Sequence, residues 1–319
     1  MEKLRVGVVG VGYLGRFHAE KYARMSDAEL VGVVDVDAAA AKEVARRLET
    51  DAYTDHRELL GKVDAVSIVV PTPLHYAVSL DFLERDVDVL IEKPMTTTLD
   101  EADTLLRTAE KRGLLIQVGH LERFNPAVVA LKELVDHPRL IESNRLSVYK
   151  ERCTDVSVVL DLMIHDIDII LNLVRSEPFE IRAAGLPVIS EHVDIANARL
   201  AFASGAVANV TASRVSFKNE RTIRLFQPNA CLAVDFAART ISVLRPGDEP
   251  DNTCPLPGMT MDQRSFEGSD ALDDELKSFV GSVRNRREPE VTGKMGRDAL
   301  KIALSVMAQI ETDGGRLRS

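Results

Sequence analysis

Cysteine is scarce in this sequence: Cys153, Cys231 and Cys254 are an odd number with no close pair. That argues against a disulfide framework and against a structural zinc site, and it fits a reducing compartment. No run of about 18 uncharged apolar residues occurs, so no transmembrane helix is expected. The opening Met1-Glu2-Lys3 leads straight into a strand-like run instead of a signal peptide, which makes a cytoplasmic location the expectation. Basic residues are not in surplus either: 40 Lys and Arg stand against 50 Asp and Glu, a net charge of −10. Nucleic acid and anionic membranes are disfavoured as partners, because phosphate backbones need a basic footprint. An anionic ligand must instead meet locally placed arginines or helix N-termini. Internal repeats and low-complexity tracts are also missing.

What remains is an ordinary globular composition, 45% hydrophobic and 28% charged over 319 residues. Two domains, each with its own core, suit that length. Through the first 120 residues, short apolar runs alternate with helical stretches. The runs are Leu4 to Val9, Leu30 to Asp35, Ala65 to Val70, Val87 to Ile91 and Leu114 to Val118; the helices are Leu14 to Met25, Ala38 to Leu48, Leu74 to Leu83 and Leu99 to Lys111. Continuous Val, Leu and Ile mark strands buried on both faces. The alternation predicts an α/β fold with a doubly wound parallel sheet and right-handed crossovers.

Ligands of such sheets bind beyond the carboxyl ends of the strands. After the first run stands Gly10-Val11-Gly12-Tyr13-Leu14-Gly15, and Asp35 closes the second run 20 residues after Gly15. Between a strand and a helix, this pattern cradles a dinucleotide pyrophosphate at the helix N-terminus. Asp35, followed by Val36-Asp37 with no nearby arginine, is placed to accept ribose hydroxyls and repel a 2′-phosphate, which favours NAD over NADP. Two further strand ends carry Pro71-Thr72-Pro73-Leu74-His75 and Glu92-Lys93-Pro94. The first, with Pro71, Thr72 and His75 as cofactor candidates, reads equally as loop punctuation. In the second, the proline holds Lys93 at the mouth of a strand, where its ammonium points toward a nicotinamide and substrate; the plain alternative is a solvated lysine.

Val158 to Val174 reads as a helix, with Asp155 or Ser157 as N-cap. Asp161, His165, Asp168 and Asn172 fall on one narrow face, and apart from Asp166 the rest is apolar. A helix hydrophobic nearly all round is buried, so the stripe must face a cavity, a partner network or another domain. Buried acids and an imidazole are costly unless paired or used, which makes the stripe a functional candidate; the alternative is a hydrogen-bonded core histidine. An Asp and a His one turn apart can also share a metal ion, but no Cys or His cluster completes a shell and no metal is expected.

The alternation stops near Gly119-His120-Leu121-Glu122-Arg123-Phe124-Asn125-Pro126. The expected boundary therefore separates a dinucleotide domain, 1–122, from an α+β domain, 123–319, with a large mainly antiparallel open sheet. A helix over 127–135 opens the second domain, and strands follow over 141–149, 181–184, 196–202, 207–212, 222–226, 230–236 and 240–244. After a Pro- and Gly-rich loop, Arg245 to Gly258, come helices over 272–283 and 297–310, the last free to pack back on the first domain. The uncovered sheet face makes a homodimer or homotetramer the expected assembly.

Taken together, the glycine turn, Glu92-Lys93-Pro94, and Asp161 with His165 four residues on resemble the glucose-fructose oxidoreductase, inositol dehydrogenase and rhizopine catabolism (Gfo/Idh/MocA) family over essentially the whole chain. Within it, Val118 to Val128, Thr154 to Ile170 and Val193 to Leu200 are most similar to bacterial UDP-N-acetylglucosamine 3-dehydrogenases. The resemblance implies NAD-dependent oxidation of a sugar secondary hydroxyl, here the 3-hydroxyl, on the way to a 3-amino sugar of some lipid A. It implies Lys93, His165 and Asp161 as catalytic residues, with Gly10, Gly12, Tyr13, Leu14, Gly15, Asp35, Glu92 and Lys93 around the cofactor. A base near neutrality, an orienting carboxylate and a cation beside the reacting oxygen are what the chemistry needs. Which of Lys93 and His165 takes the proton stays open. For a nucleotide-sugar diphosphate, Arg123, Lys150, Arg152 and Arg214 are the candidates, with His120 and Asn125 for the sugar; each is otherwise an ordinary polar residue. The competing functions are another sugar, inositol or UDP-N-acetylglucosaminuronate dehydrogenase, and a non-catalytic NAD-sensing regulator.

Overall fold

A computed structural model describes residues 2–149, 156–247, 254, 257–268 and 270–316. The chain divides into two compact units, Met1–Leu121 with Asp270–Leu300, and Glu122–Ser269 with Lys301–Ser319.

The first unit alternates β1 (Leu4–Val9), α1 (Gly15–Arg24), β2 (Ala28–Val34), α2 (Ala38–Leu48), β3 (Asp51–Tyr53), β4 (Ala65–Ile68), α3 (His75–Leu83), β5 (Asp88–Glu92), α4 (Leu99–Arg112) and β6 (Ile116–Gly119). Its six strands, all parallel, lie in the order β3-β2-β1-β4-β5-β6. The order reverses at β1 and β4, the switch point beyond which such sheets open a crevice. Capping follows the local sequence. Asp37 accepts the N–H groups of Ala39 and Ala40 at the start of α2, and Thr98 with Glu101 forms a capping box on α4, which Gly113 ends in the left-handed region. The three-residue β3 was not legible as a strand, since Asp51-Ala52-Tyr53 is too short to show a period.

In the second unit, α5 (Pro126–Leu134) and β7 (Leu140–Leu146) precede α6 (Ile164–Val174), which continues from a wide π-turn over Val159–Met163. There follow β8 (Pro178–Leu186), β9 (Ile195–Phe202), β10 (Val207–Ser213), β11 (Glu220–Gln227), β12 (Ala230–Asp235), β13 (Thr240–Pro246) and β14 (Met259–Ser265). The eight strands lie in the order β14-β13-β12-β11-β7-β10-β9-β8, antiparallel except where β7 and β10 run parallel. Alternate residues such as Ala198, Leu200 and Phe202 of β9 and Ala208, Val210 and Ala212 of β10 are buried, on the face against which α5 and α6 pack. β14 was not anticipated: Met259-Thr260-Met261-Asp262-Gln263-Arg264-Ser265 is a polar edge strand with no buried face to give it a pattern.

Two helices close the chain, α7 (Ala271–Asn285) and α8 (Gly293–Arg316). They correct the expected extent of the second domain. Residues 270–300 return to the first unit, where Leu272, Leu276, Phe279, Val280 and Val283 of α7 share a core with Val6, Val8, Tyr22, Val33 and Leu90. Gly293 and Gly296 pack against Ile116 and Val118 of β6 so closely that an added Cβ on Gly296 would lie 2.4 Å from Val118 Cγ2. α8 crosses the division at Leu300, so the 297–310 segment contributes only its first turn to the first unit. Among the described residues no helix is long and apolar enough to cross a membrane.

Candidate functional site

At the end of β1, Gly10 adopts φ +87°, and a Cβ there would lie 2.4 Å from the Val69 carbonyl oxygen. A Cβ on Gly15 would lie 1.8 Å from the Gly10 carbonyl oxygen, so both positions demand glycine. Gly12 is different: nothing stands within 4 Å of its absent Cβ, which leaves the backbone open to a close ligand. α1 starts directly behind this loop without a side-chain cap, unlike α2 and α4. Its first N–H groups thus face the loop, the arrangement a pyrophosphate requires. Asp35 stands just past β2, half-buried, with Oδ2 accepting Val11 N–H at 2.9 Å and Oδ1 accepting Asp37 N–H at 3.0 Å. The loop and the acid are locked together, and these residues fit a dinucleotide. Tyr13 is 61% exposed beside the turn, edge-on to Phe17 and under the Arg16 guanidinium.

The next strand ends lie beside it in the sheet. Pro71 leads into the short turn Thr72–Leu74, and both Pro71 and Thr72 keep some exposure. His75 does not: it is 1% exposed, with Nδ1 2.9 Å from the Pro94 carbonyl oxygen and Nε2 2.8 Å from that of Val70. Burial drives its imidazole toward the neutral form, against the pull of those carbonyls. This corrects its assignment as a direct cofactor contact, because the ring is a buried latch joining the β4 end to the Lys93-Pro94 turn, where the peptide bond is cis.

Glu92 closes β5 and is 8% exposed. Its Oε2 accepts the Lys93 N–H at 3.2 Å, and its Oε1 lies 3.4 Å from His18 Nε2. Burial alone would raise this carboxyl, but His18, then Lys93 and His75 outweigh it and hold Glu92 below the ordinary glutamate value. It therefore stands as an ionised acid directly behind the Lys93 turn. Lys93 itself is half-buried, and His120, past the end of β6, is 1% exposed.

In the second unit, Asp161 and His165 lie one helical turn apart and both are half-buried. Ser157 Oγ accepts Val159 N–H just before this helix, whose N-cap is Val158; Asp155, the other candidate cap, lies outside the described residues. The stripe then splits. Asp168 Oδ1 meets Arg123 Nη1 at 3.4 Å, and Asn172 Oδ1 accepts Arg123 Nη2 at 2.9 Å. Arg123 is 2% exposed, so the structure removes it from the diphosphate candidates: its charge already matches a buried carboxylate. Asn125 is corrected likewise, since its Oδ1 caps α5 at Ala127 N–H while its Nδ2 donates to the Phe236 carbonyl. Arg214 is 5% exposed, donates to the Val156 carbonyl oxygen and lies 3.8 Å from Asp194. Lys150 and Arg152 lie outside the described residues.

Sequence reasoning missed a buried ion cluster of this unit. Arg145 donates from Nε and Nη2 to Asp166 at 2.8 and 3.0 Å and from Nη1 to Glu122 at 3.1 Å, with both partners of the first pair buried. Burial disfavours the guanidinium charge, but Asp166 and Glu122 outweigh that and leave it more firmly protonated than usual. The available signal was a charge on the inward parity of β7, Ile141-Ser143-Arg145. Its partner Asp166 immediately follows His165 on α6, so the cluster fixes the helix that carries the imidazole.

Residues 4–120 match the model of an oxidoreductase family with an NAD-binding Rossmann fold, and residues 131–230 match the GFO/IDH/MocA C-terminal domain. The UDP-N-acetylglucosamine 3-dehydrogenase of Acidithiobacillus ferrooxidans is 39% identical, the alignment covering 98% of each chain. A solved structure of that enzyme superposes with a TM-score of 0.93 at 38% identity, covering 98% of this chain and 99% of the other. The myo-inositol 2-dehydrogenase of Thermotoga maritima is 25% identical over 97% of this chain and 96% of its own.

Proposed function

The chain belongs to the GFO/IDH/MocA family of oxidoreductases, and from that premise we propose that it oxidises the 3-hydroxyl of UDP-N-acetylglucosamine to a ketone, with NAD as the hydride acceptor. The observation that carries the substrate is the 39% identity to an enzyme of that name over 98% of both chains. Retention of Lys93, Asp161 and His165 supports catalysis within it.

NAD, when held by the Gly10–Gly15 turn and Asp35, would supply the hydride acceptor for the carbinol carbon, while the chain's own residues take the hydroxyl proton as the C=O bond forms. His165 supplies an imidazole able to take that proton near neutral pH, and Asp161, one turn before it, orients the ring or the sugar. Lys93, at the mouth of β5, donates to the reacting oxygen and stabilises the charge that develops on it. Asp35 favours NAD over NADP, because a 2′-phosphate would meet a carboxylate already fixed by Val11 and Asp37. A homodimer or homotetramer is the proposed assembly. The exposed side chains Phe179, Leu186, Val188, Ile189 and Phe217 of the second unit are the surface it would cover, and light scattering tests it.

The test is incubation with NAD and UDP-N-acetylglucosamine, with an aminotransferase present to draw off the ketone, following NADH. Turnover is expected, and Lys93→Ala or His165→Ala should lower kcat by about 10²- to 10⁴-fold while NAD affinity changes little. No NADH with this sugar, but NADH with inositol or UDP-N-acetylglucosaminuronate, would keep the family and discard the substrate.

A further inference from the structure

Within the first unit a line of buried polar groups runs through an otherwise apolar layer. Leu90 and Glu92 of β5 pair in parallel register with Gln117 and Gly119 of β6, and Ser67 of β4 pairs with Leu90. Alternation puts Ser67, Gln117 and Glu92 on the same sheet face. That face packs under α1 and α7, as the shared core of Tyr22, Leu90, Leu276 and Phe279 shows. From α1, Tyr22 Oη lies 2.8 Å from Ser67 Oγ, and one turn earlier His18 reaches Glu92. Gly119 makes the room: a Cβ there would lie 2.8 to 3.0 Å from the Glu92 carboxylate.

Into this layer α7 brings Glu275, 0% exposed, with neither carboxyl oxygen hydrogen-bonded among the described residues. Gln117 Oε1 and His18 Nδ1 are buried without a hydrogen bond as well, while Gln117 Nε2 donates to the Glu275 backbone carbonyl at 3.1 Å. A buried carboxyl without partners costs stability, and an apolar residue would pack there at no such cost. Groups of that kind persist where they serve a site. Glu275 interacts electrostatically with Tyr22 of α1 and with Glu92 of β5, and Glu92 in turn with His18, Lys93 and His75.

We propose that Glu275 is a positioning residue for Lys93: it holds the single proton of a buried Glu92–Glu275 pair, so the pair's one charge stays on Glu92, against the Lys93 turn. This rests on the role given to Lys93 above. Burial first, and then repulsion by ionised Glu92, hold the Glu275 carboxyl well above the ordinary glutamate value. Glu92 keeps its charge because His18 and Lys93 favour it. The two acids therefore titrate as a unit, Glu92 giving up its proton before Glu275.

The test compares Glu275→Leu, which fills the space without a polar group, with Glu275→Gln, which imitates the uncharged acid but cannot ionise. For Leu, kcat is expected to fall about tenfold with KM for sugar and NAD within about twofold, while Tm stays level or rises. Gln should recover most of that loss and remove the Glu275 ionisation from the kcat profile. A role in packing alone predicts the reverse, full kcat and an unaltered pH profile for Leu, and that result would overturn the proposal. A readout independent of turnover separates it from the sugar assignment. The infrared carbonyl band of a protonated carboxylic acid should be present in the wild type at neutral pH and absent from Glu275→Gln. If it is absent from both, Glu275 is ionised and the proposal fails even with an active enzyme. If it is present but no sugar is oxidised, the substrate reading fails and the proton assignment stands. Should the Leu variant not fold, the Gln pH profile and the band decide.

Discussion

Replacing Arg145 by Met keeps most of the side-chain volume but leaves Asp166 and Glu122 without the cation they share. Three charge-assisted hydrogen bonds of 2.8, 3.0 and 3.1 Å disappear, and the carboxylates left behind have side chains only 1% and 15% exposed. Removing one partner of a buried pair costs about 3–5 kcal/mol, most of it the penalty of a stranded charge. At a denaturant slope of about 3 kcal/mol per molar, the urea midpoint of the second unit should fall by about 1 M or more. The sequence has no tryptophan, so far-UV circular dichroism is the suitable probe. Asp166→Leu in the Arg145→Met background removes the worst stranded charge and should restore part of the loss. Because Asp166 follows His165, the single variant should also lose kcat. A midpoint shift below about 0.3 M, the equivalent of roughly 1 kcal/mol, would refute the account of this cluster.

Further expectations follow from the first unit and from the Asp194 turn. Asp35→Ala should weaken NAD about tenfold to hundredfold and NADP much less, because hydrogen bonds to a charged acceptor are worth about 1.5–3 kcal/mol; equal losses for both cofactors by calorimetry would contradict its role. Gly15→Ala places a Cβ 1.8 Å from the Gly10 carbonyl oxygen, so the loop must open; a loss in NAD affinity of about tenfold or more is expected, and a native Kd would show that the loop yields without consequence. Asp194 accepts the N–H groups of Val188, Ile189 and Ser190 at 2.8, 2.7 and 2.9 Å. Burial would raise this carboxyl, but those hydrogen bonds outweigh it and hold it far below the ordinary value. Its stabilisation is therefore complete above the unfolded value of about 3.9 and is lost as pH falls below that. Asp194→Asn should lower Tm at pH 7 and flatten its fall between about pH 4 and 2, and an unchanged acid limb would exclude this carboxylate as its source.

Much of the first unit could be read from order along the chain. Strands buried on both faces must be continuously apolar, and a glycine turn followed by an acid at the next strand end is local in sequence, so the parallel sheet, the loop and Asp35 were all accessible without coordinates. The one-turn spacing of Asp161 and His165 was legible for the same reason, since helical spacing is a local property. Pairing was not. Arg123 read as a cation near a junction and Arg145 was not singled out, yet both are buried against acids of α6, 45 and 21 residues away, because only the packed fold fixes which charge must be neutralised where water is excluded. The return of α7 to the first unit was equally invisible. Its apolar stripe says that a face must be covered but not by which sheet, and only the folded chain sets Glu275 158 residues from its backbone partner Gln117, within a layer that includes the acid behind Lys93.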